Sequence, residues 1–222
     1  MDCSFFNNFI FMPVNFNLLA PIYDFGEKLF FGDLLASSRN RFLNYSTNSS
    51  SVLILGEGRG QFLNQLLRVN QSCKVTVVES SSRMIEKQKD LIPKKHLNRV
   101  TFKCISIDVF IADQSYDLIC SHYFWDCFSY REISTFLPYL IESLCNGGFW
   151  INTDFIDNTK GGTKLNFLKI RFLYLFFSLT TGILARKVEP FYQVASRNSL
   201  KLLDYEEIHP SFIRSEVFKK VA

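Results

Sequence analysis

Three glycines stand at alternate positions within residues 52–67, VLILGEGRGQFLNQLL, directly behind a run of four apolar residues. Glycine is favoured where the backbone needs a positive φ or where a ligand must approach the main chain closely. Val52–Leu55 has the pattern of a buried strand, and Phe62–Leu67 supplies the apolar face of a helix. A strand, a glycine turn and a helix N-terminus together predict a site for a nucleotide-like ligand. The three glycines are Gly56, Gly58 and Gly60.

Strand-like and helix-like segments alternate after this motif, which predicts a mostly parallel sheet with right-handed crossovers. A second strand covers Val75–Val78, a third ends near Asp108, a fourth covers Tyr116–Ser121 and a fifth is FWINTDF. The tail holds two further strand-like runs, about residues 206–212 and 214–220, and these predict a hairpin or paired edge strands.

Helix boundaries are predicted from capping residues. Ser80–Ser82 can cap a helix that runs towards Leu91 and stops at Pro93. Ser129 with Glu132 fits a capping box, and the following helix is expected to kink or restart at Pro138 and to end at Asn146–Gly148. No internal repeat or low-complexity linker is present, so we expect one domain over residues 1–222.

Composition excludes several classes of protein. With 47% apolar and 21% charged residues the chain is globular, and a net charge of +4 without a basic stripe argues against nucleic-acid binding. The six cysteines form no C-x-x-C pair, so we expect reduced thiols, no metal site and a cytoplasmic protein. The N-terminal segment does not have the pattern of a secretory signal.

The glycine motif is a poor match to the dinucleotide fingerprint. In its register the chain reads Gly56-x-Gly58-x-x-Gln61, and no second mononucleotide-like half follows. VLILGEGRGQFL, Glu79 after the second strand and Asp108 after the third instead resemble the class I S-adenosylmethionine-dependent methyltransferases. The lead-in PIYDFGEKLFFGDLLASSRNRFL and the segment YDLICSHYFWDCF also resemble small methyltransferases of the quinone-biosynthesis type.

This resemblance covers roughly residues 20–220 and implies an α/β, Rossmann-like fold. It implies a seven-stranded, mostly parallel sheet with helices on both faces, an antiparallel C-terminal strand, extra N-terminal helices and an insertion after strand 5. The domain then divides into an N-terminal helical lid (1–50), a cofactor-binding core (51–154), a lid or insertion helix (155–190) and C-terminal strands (191–222).

The resemblance also implies the cofactor-binding residues. Gly56–Gly60 would pass beside the methionine and ribose of S-adenosylmethionine, and Glu79 would accept hydrogen bonds from both ribose hydroxyls, unless it is a solvated strand-end carboxylate. Asp108 would take the adenine amino group, with Val109 beside the ring, although a loop aspartate is also an ordinary turn former. The remaining expected cofactor residues are Tyr23, Ser80 and Ser121.

One position departs from the family pattern. Many relatives carry an acidic residue two positions before the first glycine, where this chain has Ile54. Glu57 would then hold the cofactor's ammonium group, or it would face solvent or cap the helix dipole.

Candidate catalytic residues follow the fourth strand. His122 could remove an acceptor's proton, or it packs against the cofactor or holds a loop. Asp126 could orient His122, or it starts the next helix.

Phenylalanine is abundant at residues 5–31 and 167–177, and residues 172–185 carry no charge. We expect residues 5–31 and 165–185 to meet over the carboxyl ends of the strands and to enclose an apolar pocket that opens towards His122 and takes a small hydrophobic or aromatic acceptor. An interfacial membrane helix, a dimer contact and an ordinary buried helix stay open for the second segment. A non-catalytic protein that keeps the fold and an NAD-dependent oxidoreductase remain the alternative functions.

Overall fold

The central sheet is described by a computed structural model, which covers residues 34–156, 191–208 and 213–221. Within these residues seven strands pair in the order β3-β2-β1-β4-β5-β7-β6. The strands are β1 (Ser51–Leu55), β2 (Lys74–Val78), β3 (Val100–Lys103), β4 (Tyr116–His122), β5 (Leu144–Phe155), β6 (Leu200–Ile208) and β7 (Ile213–Lys220).

Helices of the described residues connect and cover these strands. They are α1 (Leu34–Arg39), α2 (Gln61–Val69), α3 (Ser82–Leu91), α4 (Lys94–Leu97), α5 (Tyr130–Ser143) and α6 (Phe191–Ala195). Short 3-10 turns lie at Leu43–Ser46, Ile107–Val109 and Trp125–Cys127. The capping residues are confirmed, since the Ser81 side chain caps α3 and Ser129 with Glu132 forms a capping box on α5.

Strand direction decides where the site lies. β1 is parallel to β2 and to β4, and β3 and β5 extend the parallel set on either side. β7 is antiparallel to both β5 and β6, which confirms the predicted antiparallel strand at the C-terminus. The carboxyl ends of β1 to β5 therefore share one edge of the sheet, where ligands of open α/β sheets bind.

The two faces of the sheet carry separate apolar clusters. One cluster packs α2 on the sheet through Phe62 and Leu66. The other packs α5 and α6 against the opposite face through Leu137, Phe191 and Trp125. Since helices cover both faces, the parallel strands are apolar on both sides and read as continuous hydrophobic runs.

Several predicted boundaries were wrong. β3 ends at Lys103 rather than near Asp108, because its pairing partner β2 ends at Val78 and a longer strand would have no neighbour there. The helix α5 runs through Pro138 without the restart that was one of the two predicted outcomes, since buried residues on both sides of the proline hold it on the sheet; the other outcome, a kink at Pro138, stays a prediction. Helix α5 ends at Ser143, before the predicted end at Asn146–Gly148, and β5 begins directly after it at Leu144. Gly147, with a left-handed φ of 77°, lies in an irregular stretch of that strand.

The division of the chain into lids, core and tail stays a prediction. Residues 1–33 and 157–190, which include both phenylalanine-rich segments, lie outside the described residues. Within the described ranges, none of the helices reaches the length and apolar character that crossing a membrane requires.

Candidate functional site

The glycine loop between β1 and α2 needs its glycines for different reasons. Gly56, Gly58 and Gly60 have φ values of 62°, 66° and 89°, a region that L side chains rarely adopt. A Cβ on Gly56 would lie 2.5 Å from the Phe124 ring, and one on Gly60 would lie 3.1 Å from the Gln88 main chain. Among the described residues, nothing lies within 4 Å of a Cβ on Gly58.

Glu79 ties this loop to the next strand. Its carboxylate is 7% exposed, and it accepts hydrogen bonds from the Gly58 N–H at 3.0 Å and the Ser81 N–H at 2.9 Å. Burial raises the pKa of Glu79, while these hydrogen bonds oppose the rise. Each carboxylate oxygen has two lone pairs, so the group keeps acceptor capacity for ligand hydroxyls. Ser80 lies beside it and is exposed.

Glu57 caps helix α2. Gly60 stands at the N-cap without a side chain to offer, and a Glu57 carboxylate oxygen instead accepts the Leu63 N–H at 2.9 Å. Burial raises the pKa of Glu57 to about 7, although the backbone hydrogen bonds and the Arg39 charge lower it. The sequence left several roles open for Glu57, and the structure shows it as the cap of helix α2. Its contact with the cofactor's ammonium group stays a prediction.

Asp108 and Val109 lie at the same edge of the sheet. Both belong to the 3-10 turn that follows β3, and both are exposed, with 62% of Val109 accessible. An exposed apolar residue beside a carboxylate suits the flat, polar-edged ring of a nucleobase. These two residues therefore fit the adenine role that the resemblance implies.

The prediction that Ser121 binds the cofactor is wrong for its side chain. The hydroxyl is fully buried, donates to Asn152 Oδ1 at 2.9 Å, and accepts from the indole N–H groups of Trp125 at 3.1 Å and Trp150 at 2.9 Å. A hydroxyl has one donor and two acceptor positions, and all three are used. Ser121 therefore serves the core on the α5 side of the sheet.

His122 ends β4 under helix α2. Its ring centre lies 4.3 Å from that of Phe62, and 6% of the residue is exposed. Neither ring nitrogen has a hydrogen-bond partner among the described residues. Burial, with the nearby Arg39 charge, lowers the pKa of His122 to about 3. The imidazole is neutral at pH 7 and holds an added proton weakly, which makes it a poor general base.

Asp126 does not orient His122, contrary to one of the predicted roles. It lies in the turn Trp125–Cys127, where its carboxylate accepts the Cys127 thiol at 3.5 Å and its N–H donates to Asp154 at 3.2 Å. That turn packs through Trp125 towards α5 and α6, away from Phe62. Nor does Asp126 start helix α5, because Ser129 caps it.

Asp154 was missed by the sequence reasoning. It lies at the end of β5, is 6% exposed, and accepts the N–H groups of Trp125 at 3.1 Å and Asp126 at 3.2 Å. Burial raises the pKa of Asp126 to about 6, and burial together with the Asp126 charge raises the pKa of Asp154 well above its usual range. A polar residue at the carboxyl end of a parallel strand was the available signal.

Phe124 was missed as well. Its ring covers Gly56 and lies 5.0 Å from the ring of Phe128. Tyr23, the remaining predicted cofactor residue, lies outside the described residues.

The residues at this edge fit S-adenosylmethionine. The Glu79 carboxylate has spare acceptor capacity that suits the ribose, and the exposed apolar turn after β3 suits the base. No described residue lies within 4 Å of a Cβ on Gly58, which suits the close approach of the methionine moiety to the main chain. Glu79, Gly58, Asp108 and Val109 are the residues that would hold it.

Comparison with known proteins agrees with this fit. Residues 52–148 match the family model described as a methyltransferase domain. A curated relative, the malonyl-[acyl-carrier protein] O-methyltransferase of Bacillus cytotoxicus, is 27% identical over 108 residues, which are 49% of this chain and 36% of the relative. The match thus spans about a third of that relative's length.

Solved structures share the fold. The N-methyltransferase NodS from Bradyrhizobium japonicum WM9 superimposes with a TM-score of 0.64 at 14% identity, covering 86% of this chain and 99% of NodS. The plantazolicin methyltransferase BpumL, solved with a triazolic desmethylPZN analog and SAH, gives a TM-score of 0.64 at 14% identity, covering 91% of this chain and 90% of BpumL. Residues 52–148 therefore match a methyltransferase domain, and the solved methyltransferases NodS and BpumL share the fold of this chain.

Proposed function

We propose that the protein transfers the methyl group of S-adenosylmethionine to a small acceptor of hydrophobic or aromatic character. The observation that carries this proposal is the cluster of aromatic rings beside the glycine loop, in which Phe124 and Phe128 are partly exposed and Trp125 is buried. Phe124 covers Gly56, and its ring centre lies 4.9 Å from that of Trp125 and 5.0 Å from that of Phe128. An apolar acceptor held there would be next to the cofactor and shielded from water.

The cofactor supplies an electrophilic methyl group on a sulfonium centre. The chain's own task is to hold donor and acceptor in line and to exclude water. Glu79 would accept hydroxyl hydrogen bonds while its bond to Gly58 keeps the loop in place, and Asp108 and Val109 would hold the base.

An acceptor that loses a proton needs a nearby base. Burial raises the pKa of Asp126 and lowers the pKa of His122 to about 3, so the Asp126 carboxylate takes up a proton more readily than the His122 ring. We therefore assign the proton to the Asp126 carboxylate. His122 packs against Phe62 on the α2 side of the sheet, so we assign it no contact with the acceptor.

The names of similar proteins leave the acceptor atom open, since they include an N-methyltransferase and an O-methyltransferase. Absence of nucleic-acid binding, a cytoplasmic location and an apolar lid remain predictions. The membrane and dimer alternatives concern residues 165–185, outside the described ranges. The oligomeric state is left open.

The test has two stages. Calorimetry with S-adenosylmethionine and S-adenosylhomocysteine comes first, because failure to bind either at millimolar concentration would favour the non-catalytic alternative, and a thermal shift with NADH alone would revive the oxidoreductase. Methyl transfer is then measured against matched sets of small phenols, aromatic amines and carboxylic acids, together with polar analogues of similar size. Transfer restricted to the polar analogues would refute the acceptor class and leave the cofactor intact.

A further inference from the structure

Tyr123 has an unusual backbone. It follows β4 directly and has a φ of 53°, in the left-handed region that a bulky residue rarely adopts. Such a conformation persists only where surrounding contacts hold it. The Tyr123 N–H donates to the Thr153 carbonyl at 2.7 Å, and its ring centre lies 4.8 Å from that of Phe155.

Helix α1 supplies further contacts. The Tyr123 hydroxyl lies 2.6 Å from Ser38 Oγ, and the Arg39 guanidinium lies 5.0 Å from the centre of the Tyr123 ring. The Ser38 hydroxyl donates to the Leu35 carbonyl at 2.8 Å, so the Tyr123 hydroxyl is the donor in the bond between them. Loss of this bond would not undock α1, because the Ser38 carbonyl also accepts from Ser215 Oγ at 3.0 Å.

Because of the left-handed turn at Tyr123, the consecutive rings of Tyr123 and Phe124 pack in two different apolar clusters. Tyr123 packs with Leu35 and Phe155, whereas Phe124 packs on the cluster beneath α5 and α6 and covers Gly56. A Cβ on Gly56 would lie 2.5 Å from that ring, so the ring is in direct contact with the loop's main chain.

We propose that Tyr123 and Ser38 are positioning residues for the cofactor loop. The hydrogen bond from Tyr123 to Ser38 fixes the left-handed turn, the turn fixes Phe124, and Phe124 holds the Gly56–Gly60 loop in its cofactor-binding form. Helix α1, which lies outside the sheet, is thereby coupled to the loop. This coupling does not depend on which acceptor is methylated.

Hydrogen exchange on the ligand-free protein tests the coupling. The Gly56 N–H donates to the Val78 carbonyl at 2.9 Å and the Gly58 N–H to Glu79 at 3.0 Å, so both amides report on the loop. We expect Tyr123→Phe and Ser38→Ala each to speed exchange of these amides about three- to tenfold. The double variant should be no faster than the single ones, because all three lose the same bond.

Tyr130→Phe is the matched control. The Tyr130 hydroxyl accepts a hydrogen bond from Arg197 at 3.0 Å on the surface of α5, so this variant also loses one tyrosine hydrogen bond. Hydrogen exchange of the loop amides should stay as in the parent protein. Calorimetry should show a matching three- to tenfold weaker S-adenosylhomocysteine affinity for Tyr123→Phe. Unchanged loop exchange, with a lower melting temperature or faster exchange confined to α1, would overturn the proposal, as would additive effects of the two substitutions. Because the exchange measurement needs no ligand, its result does not depend on whether the protein transfers methyl groups.

Discussion

Replacing Glu79 by alanine tests the cofactor site and the loop architecture together. The carboxylate accepts two main-chain N–H groups, from Gly58 at 3.0 Å and from Ser81 at 2.9 Å, and it is almost completely buried. The proposed ribose contact would use the lone pairs that these bonds leave. The substitution therefore removes a binding group and also the tie between the glycine loop and α3.

The two losses have separable magnitudes. Each buried N–H left without an acceptor costs about 1–3 kcal/mol, so Glu79→Ala, which leaves two, should lower the free energy of unfolding by roughly 2–6 kcal/mol. Losing one or two charge-assisted bonds to ribose should weaken S-adenosylhomocysteine affinity by about tenfold or more, since tenfold corresponds to about 1.4 kcal/mol. Glu79→Gln keeps one acceptor oxygen, so its stability should fall less while its affinity still drops.

Calorimetry and urea unfolding measure these two quantities. Glu86→Ala is the control, because this carboxylate is 68% exposed and forms only an i,i+3 pair with Lys89, whose loss should change stability by less than about 0.5 kcal/mol. Unchanged affinity in Glu79→Ala, in a protein that remains folded, would refute the ribose assignment. It would leave Glu79 as a structural tie alone.

Three further substitutions test the core and the loop. Ser121→Ala leaves two indole N–H groups without an acceptor, so the free energy of unfolding, followed by the fluorescence of the chain's two tryptophans, should fall by roughly 2–6 kcal/mol. A tenfold loss of cofactor affinity would contradict the core role of Ser121. Burial raises the pKa of Glu216 to about 7, so the unfolded chain loses this proton first and stability falls as the pH rises from about 4.5 to about 7. Glu216→Gln should remove this decline, which amounts to roughly 3 kcal/mol over that pH range, and Glu207→Gln, at an exposed position, should leave it unchanged. Chemical denaturation should show a larger loss of unfolding free energy for Gly56→Ala than for Gly58→Ala, because the new methyl group at Gly56 would clash with the Phe124 ring. At Gly58 only the left-handed φ is penalised, at about 1–2 kcal/mol. Equal losses for the two variants would contradict the ring contact.

The sheet was largely predictable from the sequence. Parallel strands that are buried on both faces read as unbroken apolar runs, and Val52–Leu55, Val75–Val78 and Tyr116–Ser121 were each placed to within a residue at either end. The third strand was predicted too long, because the apolar residues that follow Lys103 pack as a turn against the core instead of pairing. Apolar pattern alone does not separate these two outcomes.

The candidate site was predictable in position but not in side-chain direction. The predicted strand ends placed His122 and Asp126 at the carboxyl edge of the sheet, where the structure has them. The predicted contact between the two side chains was wrong, because the left-handed φ of 53° at Tyr123 reverses the direction of the chain between them. A left-handed residue other than glycine has no sequence signal, and it changes the direction of every side chain that follows. Ser121 failed for a related reason, since only the fold brings two indole groups to its hydroxyl.

The order of the strands explains why the glycine loop is held from two sides. β1 lies between β2 and β4, so the loop after β1 has the first residues after β2 on one flank and those after β4 on the other. Glu79 holds it from the β2 side through charge-assisted hydrogen bonds, and Phe124 holds it from the β4 side through van der Waals contact. Strand order reverses at this point, and such reversals form the crevice in which open α/β sheets bind ligands. A loop fixed in this way before the cofactor arrives has less conformational entropy to lose on binding, so loosening either contact should weaken cofactor affinity even though Phe124 contributes no polar group.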